Sequence, residues 1–147
     1  MDMPIGAWGG TYDAVSWPDN ERHRKFYQLY YNMFPNKPKN EPPHGFTSPG
    51  YYMVQLIGKA MGKAGTTDPQ PVLKAMEGLE FDTFNGPIRI REFDHQVTSG
   101  YVWGPMIEKQ GSDYLVMDPK RQTYVPIGDD LYTREEWLAA RRLAGKK

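Results

Sequence analysis

Apolar residues recur along this chain with two different periods, and the change between them falls near the middle. From Glu21 to Phe34 the period is helical, with Phe26, Leu29, Tyr30, Met33 and Phe34 on one face. Pro35 stops that helix. Pro38, Pro42 and Pro43 prevent a restart before His44, which predicts an extended surface crossing. Ser48 before Pro49 reads as an N-cap with a first-turn proline, opening a helix to Ala64 that buries Met53, Leu56, Ile57, Ala60 and Met61. Gly58 and Gly62 share one side of it and predict a close approach there, and Gly65 ends it. Asp68 caps a third helix with Pro69 in its first turn; Val72, Leu73 and Met76 face inward and Gly78 closes it.

Beyond Gly78 the pattern becomes strand-like. Ile88 and Ile90 alternate with Arg89 and Arg91, predicting a half-buried strand that runs on to Asp94-His95-Gln96. Tyr101 to Glu108 and Tyr114 to Met117 predict two more strands, with Lys109 to Asp113 as a hairpin-length connection; Gln122 to Pro126 is short and extended. Thr133-Arg-Glu-Glu136 is a capping-box pattern opening a last helix with Trp137, Leu138 and Leu143 as its apolar residues. At the other end, Met3 to Trp8 reads as a strand running into Gly9-Gly10, and Tyr12 to Asn20 as a loop. The first half therefore offers three apolar-faced helices but one short strand. A helix stripe must be buried against another layer, so either the helices bundle or the sheet they cover belongs to another segment.

Composition narrows the picture. The 147 residues suffice for one compact domain or two small halves of something larger, and 24% charged with 39% hydrophobic residues is globular. Eighteen basic residues balance eighteen acidic ones, so no broad positive field exists to attract nucleic acid. Arg141, Arg142, Lys146 and Lys147 form one basic cluster, read as a solvated helix end. There is no cysteine, hence no disulfide or thiolate metal site, and no apolar run approaches the ~20 residues of a membrane span. The N-terminal MDMPIGAWGG lacks the basic start and apolar centre of a signal peptide.

Tests for chemistry mostly fail. The three histidines, His23, His44 and His95, do not have helical metal-site spacing, so no metal or cofactor is expected. Asp94-His95 can be drawn as an acid–base pair, but neighbours on a strand point to opposite faces. Ser48 in Gly-Phe-Thr-Ser-Pro-Gly is not a nucleophile elbow, because Pro49 follows it. No catalytic residue is assigned. The aromatics point instead to a small-molecule ligand. Trp8 and Tyr12 lie at or just after a strand end, and Phe46 and Tyr51 flank the helix start at Ser48-Pro49, where backbone N–H groups can receive a carboxylate. Trp8, Tyr51, Tyr12, Phe46 and Ser48 are therefore the candidate binding residues; Tyr51 fits a cleft wall and an apolar core position equally well.

Three stretches in combination resemble a known family: Gly50-Tyr51-Tyr52-Met53-Val54, Ala64-Gly65-Thr66-Thr67-Asp68-Pro69, and Phe81-Asp82-Thr83-Phe84-Asn85-Gly86-Pro87. With Arg91-Glu-Phe-Asp94-His95-Gln96 and the Phe26 to Phe34 helix before Pro38, they resemble the C-terminal part of type I periplasmic ligand-binding proteins, in the branched-chain amino acid group of ABC transporter substrate-binding proteins. The resemblance implies an α/β fold of two lobes joined by crossing strands, with the ligand held between them. It assigns residues 1–80 to a crossing strand and helices of the N-terminal lobe, and 81–147 to the crossing back and the C-terminal-lobe strands. It further implies a non-catalytic role in binding amino acids or related small carboxylates or amides, with an ABC permease as partner of a periplasmic parent; a ligand-sensing domain of a regulator or receptor with the same fold, or a non-ligand interaction protein, is the alternative. Tyr51 and Trp8 carry over as cleft wall; the N-lobe anchors that would name the ligand have no counterpart here. Helices without a sheet also predict that an isolated chain forms a dimer or pairs with a complementing fragment.

Overall fold

The computed structural model describes residues 4–15, 17–38, 41–111, 114–127 and 132–145. Met3, Ser112, Asp113, Lys146 and Lys147, which figure in the expectations above, lie outside the described residues. The elements are β1 (Trp8–Thr11), α1 (Glu21–Met33), α2 (Thr47–Ala64), α3 (Pro69–Met76), β2 (Glu80–Thr83), β3 (Gly86–Arg89), β4 (Tyr101–Ile107), β5 (Val116–Met117), β6 (Thr123–Val125) and α4 (Arg134–Leu143). The mixed α/β class is as expected. The chain divides into two compact units that interleave in sequence: residues 1–54, 83–86 and 101–125 form one, and 55–82, 87–100 and 126–147 the other.

The first unit is organised by β4. β1 pairs antiparallel along one edge, Trp8 opposite Pro105 and Thr11 opposite Val102, and β6 and β5 pair antiparallel with β4 as well. Val102 is fully buried in a small core with Ala14 and Met117, flanked by Trp17, Met106 and Tyr124. β1 begins at Trp8, where sequence pattern placed the end of a strand: Ala7 instead closes a turn on the Pro4 carbonyl, and the glycines are inside the strand. α1 starts where Asn20 caps it, the side-chain Oδ1 accepting the His23 N–H at 2.9 Å. Its buried residues are His23, Phe26 and Tyr30, whereas Leu29, Met33 and Phe34 stay exposed.

The second unit packs the C-terminal part of α2 with α3 and a hairpin arm around Leu56, Ala60, Val72, Ala75, Leu79 and Ile90. The predicted inward faces are corrected in part: Met53 on α2 and Leu73 on α3 are exposed, and Ala75 takes the core position. Gly58 and Gly62 face open space, so no close approach explains their spacing. The Asp68 side chain makes no capping hydrogen bond, although Pro69 does open α3. The Lys63 ammonium reaches from α2 to the Ala75 carbonyl at 3.1 Å, satisfying an end of α3. The strand predicted to reach Gln96 stops at Arg89; Ile90 then bridges Val97, and Arg91 to Gln96 forms a turn in which His95 has φ 59°. Asp94 and His95 are therefore not strand neighbours. Asp94 makes a two-point ion pair with Arg91 (2.8 and 3.1 Å), almost wholly buried. The Arg91 guanidinium lies over Phe93, whose ring meets Trp137 of α4 edge-on, and the Thr133–Glu136 capping box is formed as its sequence predicts.

Candidate ligand-binding surface

Side chains alternate across a strand, and the β1–β4 register sets which of them share a face. Trp8 opposes Pro105 and Gly10 opposes Trp103, and one step further the Tyr12 and Tyr101 hydroxyls hydrogen-bond to each other. Trp8, Gly10, Tyr12, Tyr101, Trp103 and Pro105 therefore share one side of the β1–β4 pair. Gly10 is required there: a Cβ would lie 2.8–3.0 Å from the Trp103 indole, so only glycine lets that ring lie against β1. Trp8 is 64% exposed and Trp103 is 41% exposed, so the face presents indole surface outward. Tyr101 and Trp103 were not found from sequence, because only the strand register places them beside Trp8 and Tyr12.

Phe46 extends this face. Its ring packs 5.2 Å from Tyr12 and stacks on His44, and it is as exposed as Trp8. The helix behind it starts earlier than predicted: α2 begins at Thr47, whose N–H bonds to the His44 carbonyl, and the Gly50 N–H bonds to that of Phe46. Ser48 is thus inside the first turn rather than an N-cap. It is 1% exposed and its hydroxyl favours ionisation of Asp13, so it sits beneath the surface rather than on it. Tyr51 packs against Phe26 (5.1 Å) and Tyr52 (5.5 Å) with part of its ring outward. The structure thus joins Tyr12 and Phe46, places Trp8 on the same strand face, and puts Tyr51 and Ser48 in the adjoining aromatic and polar layer.

That layer holds a buried pair. The Asp13 carboxylate meets His23 Nε2 at 2.8 Å, with side chains 1% and 5% exposed. Burial raises the Asp13 pKa; the hydrogen bond and charge of His23 oppose that rise, with Ser48 acting the same way. Nδ1 of His23 bonds to the Pro18 carbonyl at 2.9 Å, and the ring stacks on Phe84 at 4.3 Å. Phe84 belongs to the Thr83–Gly86 turn, which side chains hold at three points. Its N–H donates to the Tyr52 hydroxyl (2.7 Å), its carbonyl accepts from Asn20 Nδ2 (2.9 Å), and Asn85 Nδ2 donates to the Tyr12 carbonyl (2.9 Å). Beside the pair, a groove of about 410 Å³ is lined by Val15, Pro18, Asp19, His23, Arg24 and Tyr27.

Chemically, the outer face offers uncharged ring surface that can stack on or shield an apolar or planar group. None of the residues from Trp8 to Pro105 that share it carries a formal charge. The Tyr12 phenol is kept neutral: the hydrogen bond with Tyr101, then burial, raises its pKa. One phenol of the pair can donate to a ligand while the other accepts. Among the described residues no group of three or more His, Asp or Glu side chains is placed to hold a metal ion, and no helix is long and apolar enough to cross a membrane.

A mixed α/β chain of interleaved units with this helix and hairpin order is part of a periplasmic-binding-protein fold. The chain belongs to the periplasmic binding protein family, whose model matches residues 3–110. A branched-chain amino acid ABC transporter protein from Rhodopseudomonas palustris is similar at 28% identity and TM-score 0.67, over 82% of this chain and 31% of that one. A solute-binding protein of an ABC transporter from Rhodopseudomonas palustris BisB5, in complex with 3,4-dihydroxybenzoic acid, shares the fold at 18% identity and TM-score 0.65, covering 83% and 32%. A leucine-binding protein from Thermotoga maritima does so at 20% identity and TM-score 0.60, covering 86% and 32%. The chain thus spans about a third of the length of these structures. A comparison with curated proteins finds no match.

Proposed function

We propose that this chain is the C-terminal portion of the solute-binding component of an ABC importer, non-catalytic, extracytoplasmic in its full-length form and delivering its ligand to a permease. The solute is an amino acid or a related small carboxylate or amide. The observation that carries this reading is the outward aromatic face of Trp8, Tyr12, Phe46 and Trp103 in a chain of this family. Tyr51, which packs on Phe26 and Tyr52 in the adjoining layer with part of its ring outward, and Ser48, buried beside Asp13, are the remaining candidates. The family match and the likeness to amino-acid and hydroxybenzoate-binding relatives support the solute class.

Residues 1–80 and 81–147 are proposed to contribute to different lobes of the parent. Because the polar anchors lie elsewhere, the isolated chain should bind no solute tightly. Exposed Leu29, Met33, Phe34, Met53 and Val54 further support association with a second copy or a complementing N-terminal fragment. The test is calorimetry with a panel of amino acids and aromatic acids, on the chain alone and on the chain joined to the N-terminal part of a family member. Binding only by the joined protein, weakened about tenfold or more by Trp8→Ala or Phe46→Ala, is expected from loss of ring contacts. Tight binding by the chain alone, or indifference of the joined protein to both substitutions, overturns the reading. A strictly monomeric, cooperatively folded chain in ultracentrifugation and melting overturns the proposed association.

A further inference from the structure

The buried Asp13–His23 pair has a proton count fixed by its neighbours. The Pro18 carbonyl can only accept, so His23 Nδ1 carries a proton and donates to it. Nε2 faces the Asp13 carboxyl at 2.8 Å, so a second proton lies between those atoms, whether as imidazolium with carboxylate or imidazole with carboxylic acid. Remove that proton and the ring has one N–H for two acceptors. Either Nε2 or Nδ1 then opposes a lone pair at hydrogen-bond distance, in a site too buried for water to relieve it.

The ring is also the seat of the Thr83–Gly86 turn. Phe84 stacks on it within 28° of parallel, and the Pro18–Asn20 segment that accepts from Nδ1 supplies the Asn20 clamp on the Phe84 carbonyl. Any tilt that relieves the lone-pair clash therefore moves the stacking surface and the clamp together. The turn belongs to the first unit, while Asp82 and Pro87 on either side of it belong to the second.

We propose that the proton shared by Asp13 and His23 is a lock on the Thr83–Gly86 turn: while the pair holds it the turn stays seated on the imidazole, and its loss releases the turn. His23 also borders the groove lined by Val15, Pro18 and Tyr27. Among the described residues, the titratable and charged groups facing the pair are Tyr27 and Arg24 from α1, Asp19 before it and Tyr52 from α2. Arg24 and Asp19 are paired with each other at exposed positions, and burial raises the pKa of both phenols, so none of these replaces the shared proton near neutrality.

The test is hydrogen exchange of the Phe84 amide between about pH 5 and pH 9, a range spanning the ordinary imidazole value, after correction for intrinsic exchange. In the wild type, protection should fall at least about tenfold as the proton is lost. In Asp13→Asn the carboxamide donates to Nε2 of a neutral ring, keeping both bonds without a shared titrating proton, and protection should stay level. Constant wild-type protection, or an equal fall in D13N, overturns the lock. NMR of the wild type gives a check that does not depend on the variant folding: the Asp13 carboxyl carbon and the Phe84 amide should respond to loss of the shared proton with one midpoint, and separate midpoints overturn it.

Discussion

Asn20 carries two duties on one carboxamide, and substitutions can separate them. Oδ1 caps α1 at the His23 N–H, and Nδ2 donates to the Phe84 carbonyl at 2.9 Å. Asn20→Ala removes both. The lost cap costs about 0.5–2 kcal/mol, and a buried carbonyl left unpaired costs about 1–3 kcal/mol, so the total is roughly 1.5–5 kcal/mol. Asn20→Asp keeps the cap and adds a charge at a helix N-terminus worth about 0.3–1 kcal/mol. It also sets a carboxylate oxygen against the Phe84 carbonyl, so the net loss is about 1–2 kcal/mol. The ordering Asn > Asp > Ala therefore differs from a simple cap, where Asp and Asn are equivalent. Urea unfolding followed by helical circular dichroism measures it, provided the denaturant slope is unchanged. Asn20→Asp at or above wild-type stability refutes the argument, because the bond to Phe84 would then carry no weight. Tyr52→Phe, which takes the acceptor from the Phe84 N–H, supplies a double-mutant cycle in which the two losses couple by about 0.5 kcal/mol or more.

Three further outcomes are expected. Arg91→Ala leaves a buried Asp94 carboxylate without its partner and removes the donor to the Tyr132 carbonyl; melting should show a loss of about 3–5 kcal/mol, and a loss under 1 would refute the buried-pair reading. His95→Gly relieves a left-handed backbone while giving up only an exposed 3.7 Å contact with Glu77, so stability should rise by up to about 1 kcal/mol, measured by thermal melting. Asp13 has a raised folded pKa, so the folded state holds protons that the unfolded state releases above about pH 3.9, and this group's contribution should fall as pH rises through the folded value. Parallel pH–stability curves for wild type and Asp13→Asn across that range would contradict it.

Much of the helical framework was legible because proline and glycine punctuate it: α1, α2 and α3 lie within a few residues of their sequence limits, and the Thr133 capping box formed as read. What failed were faces. Leu29, Met33 and Met53 satisfy helical periodicity yet remain exposed, because periodicity assumes that an apolar stripe has a layer to meet, and in this chain the buried row of α1 is His23, Phe26 and Tyr30. A histidine at a core position carries no apolar signal; only its partner Asp13, ten residues away in the loop between β1 and α1, makes it tolerable there. The Asp94–Gln96 segment was misread for a similar reason. Alternation at Ile88 and Ile90 is a strand signal, but the Asp94 side chain accepts the Gln96 N–H and turns the chain.

The candidate surface shows the same division. Trp8, Tyr12 and Phe46 announce themselves as large aromatics near element ends, whereas Tyr101 and Trp103 resemble ordinary strand residues until the register sets them opposite Tyr12 and Gly10. Gly10 is the informative residue in hindsight: a glycine inside a strand costs stability unless something lies close against it, and here the Trp103 indole does. The outer face turns its aromatic surface to solvent, while the layer below it is tied together by hydrogen bonds through Asp13, His23, Asn20, Tyr52 and Asn85, with Asp13 Oδ2 and Asn85 Oδ1 left buried without a partner. Placing the polar clamps beneath and the rings outside fixes the geometry of the surface without using the groups that would touch a solute. Affinity should therefore respond to Trp8 and Phe46, and rigidity to Asn20 and Asp13.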